Sequence, residues 1–385
     1  MLDSFLSQLF CCTARVKDSE FSKSLAGLGV FPFSVGKATV FADISTESER
    51  LGLGVSRDGL TAGLVDKSRF FVLRLSVSTH CEEDDVVLVH EIPVAGGGLY
   101  PFVAVAEKFG PDAPRFMAFS RGRMFLTLPN MLEAESFEVP DDYGSITCTC
   151  AFPWRQPGQP VAVTGTDTGY ILLWAGSGLL PNRIKTQSGM AVCSVCADSF
   201  FVYAGIKGTR KIEIFSISGG VFVDTIEVTH ELFGNIGSSI LRPVPRVVDR
   251  RPSSPHQSPK TAKPVGSLFV TNEAGTMLAH FNLELKQSVV EPAHSAPITQ
   301  LLFGPFDNGP VISVSGSELA AWETGAFLRM NSRVEIPLVS AAVSPARDKP
   351  RLWIVGMNRD THQVEVTPFG LRSGYEIKEN RASCF

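Results

Sequence analysis

The chain has no run of 18 apolar residues, so no membrane-spanning helix is expected. Its start, Met1 to Cys12, carries Asp3, lacks a basic opening and has no long apolar stretch, and no Arg precedes Arg15. Neither a secretory nor a mitochondrial leader is expected from that pattern, and the cytoplasm is the compartment it points to. Charged residues are scarce at 19%, against 44% hydrophobic, with 34 Gly and 25 Pro. Helical proteins need more Ala, Glu and Lys than this, whereas short strands joined by tight turns suit the mixture. Net charge is only −4, which gives no global pull toward nucleic acid or membranes. The seven His are dispersed, and no order of Ser, His and Asp or pairing of carboxylates stands out, so no catalytic site and no enzyme are expected. Gly96-Gly97-Gly98 leads into Leu99-Tyr100-Pro101 rather than a helix with Lys-Ser/Thr, which excludes a phosphate cradle.

Eight cysteines are too few and too scattered for a disulfide framework, and reduced thiols are the expectation. Cys148 and Cys150 share one face of a strand, whereas strict alternation sends Cys193 and Cys196 to opposite faces. Four thiols so arranged do not close a tetrahedral zinc site, and core packing is expected with no metal or cofactor.

What the chain does contain is a layout that recurs. Phe152-Pro153 leads through Gly158 and Pro160 to Val161–Thr166, a polar turn, and Tyr170–Trp174. Phe303-Gly304-Pro305 leads through Gly309-Pro310 to Val311–Ser315 and Glu318–Trp322, and Ser344-Pro345 leads through Lys349-Pro350 to Arg351–Val355. Self-similarity at a period near 40 residues marks a repeat architecture, and four short strands per repeat read as a β-propeller. Seven central strand pairs can be placed. They are Leu60–Asp66 with Phe70–Leu75, Pro114–Phe119 with Met124–Leu128, the two Trp-ending pairs above, Phe200–Ile206 with Lys211–Ile217, Ser267–Thr271 with Met277–Leu283, and Arg351–Val355 with Gln363–Thr367. The chain runs out after the seventh pair, so Ala38–Ile44 is expected to supply the last outer strand and remove the open sheet edge. The reading is an all-β, seven-bladed propeller over residues 36–369. An N-terminal extension, 1–35, holds a short amphipathic stripe, and a polar tail covers 370–385. Residues 246–264, rich in Pro, Ser and basic residues, are expected to be a disordered insertion in blade five.

These residues resemble the WD-repeat family. Leu173-Trp174-Ala175 and Ala321-Trp322-Glu323 are similar to its Trp-Asp ending, Ala293-His294 to its Gly-His turn, and Thr164-Gly165-Thr166-Asp167 to its Asp turn; Thr229-His230 is a weaker echo. Blade six has His294, Ser315 and Trp322 of the family's hydrogen-bonded set, with Gly316-Ser317 where its Asp is expected. The resemblance implies a propeller that acts as a platform for other proteins, a non-catalytic scaffold within a multiprotein complex.

The turns between second and third strands emerge at one end of a propeller. Here they gather Lys67, Arg69, Arg121, Arg123, Lys207, Arg210, Lys211 and Arg359, while blades three, five and six offer Asp167, Glu273 and Glu318. An acidic or phosphorylated peptide from a partner protein is the ligand such an arc attracts. A nucleic-acid-associated subunit is the alternative, recognised by a steep loss of binding with salt. A membrane-peripheral propeller anchored by residues 1–12, with Cys11-Cys12 as acylation sites, is another. Ser254-Pro255 and Ser258-Pro259 fit a proline-directed kinase, whose phosphates would offset Arg250, Arg251, Lys260 and Lys263.

Overall fold

The computed structural model describes residues 30–35, 39–41, 51–56, 58–76, 85–94, 98–106, 115–127, 133–152, 160–241, 263–303, 311–315, 318–324, 328–335, 338–344, 351–357 and 363–373. These residues form seven antiparallel sheets, six of four strands and one of five. Each central pair predicted from sequence is present. Blade one, for example, runs Gly52–Val55, Thr61–Val65, Arg69–Ser76 and Asp85–Pro93 from its inner to its outer strand. Blade four runs Val192–Ala197, Phe201–Ile206, Lys211–Ser216 and Phe222–Glu227. Each inner strand touches the next blade's inner strand, and that of blade seven, Leu338–Val343, touches Gly52–Val55 of blade one. The ring is therefore closed.

Closure uses the N-terminal chain, with different limits from Ala38–Ile44. Thr39–Phe41 pairs with Val364–Val366, and Val30–Val35 continues the edge against Phe369–Ser373. Residues 30–35 thus belong to the sheet rather than to the extension, and the last strand, Val364–Ser373, reaches past the expected start of the tail. A ten-residue strand needs more than one short partner, and the second N-terminal segment supplies it.

Both faces of a blade are covered by neighbouring blades, which explains why middle strands such as Phe201–Ile206 and Ala162–Thr166 are buried at every position. The apolar clusters lie between sheets: Val65, Phe70, Val105 and Phe116 between blades one and two, and Ile212, Ile214, Leu268 and Phe281 between four and five. The same coverage extends to Lys211–Ser216, where polar and apolar residues alternate. Glu213 is buried, and its carboxylate accepts the N–H groups of Gln187 and Ser188 at 2.7 and 3.1 Å in the loop entering blade four. A buried carboxylate needs such donors to offset its lost hydration.

Each blade is an up-and-down meander. The turns between second and third strands and the loops from blade to blade therefore share one end, here called the entry end. The other turns share the opposite end.

Candidate interaction face

Of the eight basic residues predicted for the entry end, seven are described, and the geometry separates them. Arg69 meets Asp66 at 2.9 Å and Glu91 at 3.0 Å, and its guanidinium lies 5.1 Å from the centre of the Phe71 ring. Arg123 meets Glu138 at 2.7 Å. Arg69 is half-buried within these contacts, whereas Arg123 and Glu138 form an exposed pair. Lys67, Arg121, Lys207 and Lys211 are exposed, with Lys211 opposite Glu227 in the sheet register. Arg210 is half-buried and donates from Nη2 to the Glu231 carbonyl at 3.4 Å. Arg359 lies outside the described residues, as do Ser254, Ser258 and residues 1–12.

Lys207, Arg210 and Lys211 share the tight turn of blade four, where Gly208 takes φ +72° with open space around it. That turn is tied to both flanking loops: Lys207 N–H donates to the Ala191 carbonyl at 2.9 Å, and Ile236 N–H to the Thr209 carbonyl at 2.8 Å. Three cations thus stand on a turn fixed by main-chain bonds.

The acidic residues of blades three, five and six have structural work that the sequence did not disclose. Asp167 Oδ1 accepts from Ser145 N–H at 2.8 Å, and Glu273 Oε2 from Asn235 Nδ2 at 3.1 Å. Each ties its turn to the loop that enters the same blade. Those loops share a further pattern, Asp141–Tyr143 and Glu231–Phe233, each one turn of 3-10 helix with a buried aromatic and then Gly at positive φ. The signal was present as aromatic-Gly-polar-Ile in Tyr143–Ile146 and Phe233–Ile236. His230 lies at the N-cap of the second of these turns, exposed, where its carbonyl accepts from Phe233 N–H at 3.2 Å.

Blade six corrects the expected hydrogen-bond set. His294 Nε2 lies 2.7 Å from Ser313 Oγ, not Ser315, and Trp322 Nε1–H donates to the same hydroxyl at 2.8 Å. His294 Nδ1 lies 3.0 Å from Glu318 Oε2. The carboxylate is therefore present, carried by the first residue of the third strand rather than by the turn at Gly316-Ser317. A carboxylate only accepts, so Nδ1 carries the proton toward Glu318. Ser315 instead donates to the Ala296 carbonyl at 3.0 Å. Blade three keeps the abbreviated form, Trp174 Nε1–H to Thr164 Oγ1 at 2.9 Å. All of these groups are buried or half-buried ties between strands.

The four described thiols lie near one another where blades three, four and five meet, with Cys150 packed in both apolar clusters. Cys148 packs in the apolar cluster between blades three and four. Cys193 and Cys196 both pack in the cluster between blades four and five, because a register shift between Val192 and Ser194 breaks the alternation expected of them. Loss of hydration pushes Cys148 and Cys150 up to about 12 and Cys193 to about 11. Among the described residues no group of three or more His, Cys, Asp or Glu is placed to hold a metal ion, and no helix is long and apolar enough to cross a membrane.

No family-wide sequence pattern matches the chain, and no curated protein does. Solved structures do. A chain in the crystal structure of the mitotic checkpoint complex aligns with a TM-score of 0.54 at 12% identity, over 87% of this chain and 91% of that one. The WD40 β-propeller domain of Doa1 aligns at 0.55 and 10% identity, over 87% and 96%. This chain has the fold of the WD40 propellers. BBS1N, solved in complex with ARL6DN, is similar as well, at 0.56 and 12% identity over 86% and 96%. At such identities the likeness extends to the WD40 architecture alone.

Proposed function

We propose that this WD40-type propeller is a non-catalytic, cytoplasmic scaffold that docks an acidic or phosphorylated segment of a partner protein at its entry end. The observation that carries the reading is the turn of blade four, where Lys207, Arg210 and Lys211 stand between two main-chain-anchored loops. A turn held in this way presents its cations without first having to be ordered, which lowers the entropy lost on binding. Exposed Arg121, two blades away, extends the same field. The solved structures with this fold include chains crystallised within complexes, which is in keeping with a platform role.

The test uses acidic and phosphoserine peptide libraries on the intact protein. Lys207→Glu with Lys211→Glu is expected to weaken selected acidic peptides by about tenfold or more. Arg123→Glu is expected to change little, because Glu138 already holds that guanidinium. Equal loss from both variants would remove the assignment to blade four, and failure to select any acidic peptide would remove the reading. Enrichment of nucleic acid with a steep salt dependence would favour a phosphate backbone as ligand instead.

A further inference from the structure

Two large apolar side chains stand exposed at the entry end of blade four, one on each side of its cationic turn. Met190, in the loop entering blade four, is 44% exposed. Leu232, in the loop entering blade five, is 76% exposed, the most of any large apolar residue among the described ones. Polar bonds join the three segments. Lys207 N–H donates to the carbonyl of Ala191, beside Met190, and Ile236 N–H to the Thr209 carbonyl. Arg210 Nη2 reaches the carbonyl of Glu231, beside Leu232, at 3.4 Å. The order across the surface is therefore Met190, the turn with Lys207, Arg210 and Lys211, then Leu232.

The fold does not require an apolar residue at position 232. The turn Glu231–Phe233 has a counterpart in Asp141–Tyr143, where Tyr143 is buried as Phe233 is and Gly144 takes φ +70° as Gly234 takes +72°. The middle position is Leu232 in one and exposed Asp142 in the other. Met190 is presented on an equally fixed loop: Gln187 and Ser188 donate their N–H groups to Glu213, and Thr186 Oγ1 donates to the Met190 carbonyl at 3.4 Å. Methionine also adapts its flexible thioether to apolar partners of varied shape. The acids bordering the turn leave its centre cationic. Glu213 is buried on those N–H groups, Glu273 holds Asn235, and exposed Glu227 and Glu231 lie where the chain leaves the outer strand. The entry-end loops of blades three to five all fall within the described residues, whereas segments 1–29, 242–262 and 374–385 join the propeller at its opposite end. The occupant of this surface is therefore sought in another chain.

We propose that the partner segment docked here is amphipathic, with acidic groups over Lys207, Arg210 and Lys211 flanked by two large apolar side chains that cover Met190 and Leu232. This rests on the docking reading given above and narrows it to one class of ligand. Charge steers such a segment and fixes its position, while apolar burial supplies affinity that salt does not screen. A purely acidic segment would leave both apolar side chains in water. A phosphate backbone offers the charge without the flanking aliphatic groups.

The experiment selects peptides from a random phage-displayed library on the intact protein, then measures synthetic copies by fluorescence anisotropy at about 50 and about 300 mM salt. Selected peptides are expected to carry large apolar residues on both sides of an acidic centre. Leu232→Ala and Met190→Ala are each expected to weaken them by about fivefold or more at both salt concentrations, and to leave an oligo-glutamate probe unchanged. Lys207→Glu with Lys211→Glu is expected to weaken both kinds of peptide, and less so at the higher salt. Both alanine sites are exposed, so the melting temperatures of these variants should match the wild type and separate lost binding from lost folding. Acidic peptides that depend on the lysines yet bind Leu232→Ala and Met190→Ala as well as the wild type would overturn this inference and leave the docking reading standing. Peptides that need Leu232 and Met190 but ignore the charge reversal would overturn both, as would a library from which no acidic peptide is selected.

Discussion

Trp322 and Ser313, on neighbouring strands of blade six, are joined by a hydrogen bond of 2.8 Å from the indole Nε1–H to the hydroxyl oxygen. The same hydroxyl lies 2.7 Å from His294 Nε2, and His294 passes the chain of bonds to Glu318. One small buried side chain therefore satisfies two larger ones.

Ser313→Ala is expected to destabilise the protein by about 2–3 kcal/mol, because both the His294 ring and the Trp322 indole lose a buried partner. Ser315→Ala removes one bond to a main-chain carbonyl and is expected to cost about 1 kcal/mol. Denaturant unfolding of the two variants measures the difference. Equal costs would contradict the assignment of the serine in this network.

Acid should weaken blade five. His280 lies against Phe269 with ring centroids 4.8 Å apart and meets Ser267 Oγ at 2.9 Å, and burial lowers its pKa below the ordinary 6.5. The folded state therefore favours the neutral ring. That contribution is fully present above the unfolded value of 6.5 and is lost as pH falls through the depressed folded value. Melting temperature followed from pH 7.5 to 5 should fall less steeply in His280→Gln than in the wild type.

The thiols of Cys148 and Cys150 should resist alkylation in the native protein. With burial raising them to about 12, almost no thiolate exists at pH 8, and thiolate is the reacting species. Iodoacetamide labelling read by peptide mass spectrometry should show slow modification at both, abolished as a difference once the protein is unfolded. The linked stability is present below the ordinary thiol value of 9 and is lost as pH rises toward 12, since the raised folded pKa favours the neutral thiol.

Gly165→Ala should act as an overpacking substitution. A Cβ there would lie 2.6 Å from Val192 Cγ1 and 2.8 Å from Cys148 Sγ, where blade three meets blade four. A cost of about 1–3 kcal/mol is expected, measurable as a shift in the denaturation midpoint. Gly122→Ala, with open space around it, is the control and should cost far less.

Much of the architecture was legible along the chain. The strand pairs around Val161–Trp174 and Val311–Trp322 announce themselves because local periodicity, turn residues and the Trp endings agree. That agreement follows from each blade being a local meander whose contacts are close in sequence. The candidate site was legible only as a count of cations. Arg69 and Arg123 looked equivalent to Lys207, but Glu91 and Glu138 stand beside them in the sheet and hold them. The serine of blade six was misplaced by two residues, because alternation leaves Ser313 and Ser315 on the same face and only the position of the His294 ring distinguishes them.

The sequence by itself determined the seven central strand pairs, their order and the need for an N-terminal segment to close the ring. Those features depend on hydrophobic period and on turn chemistry, which act over a few residues. Tertiary structure alone decided which charges are exposed and which thiols share an interface. Each of those depends on blades that are distant along the chain being set side by side around one axis, a distance that periodicity does not encode.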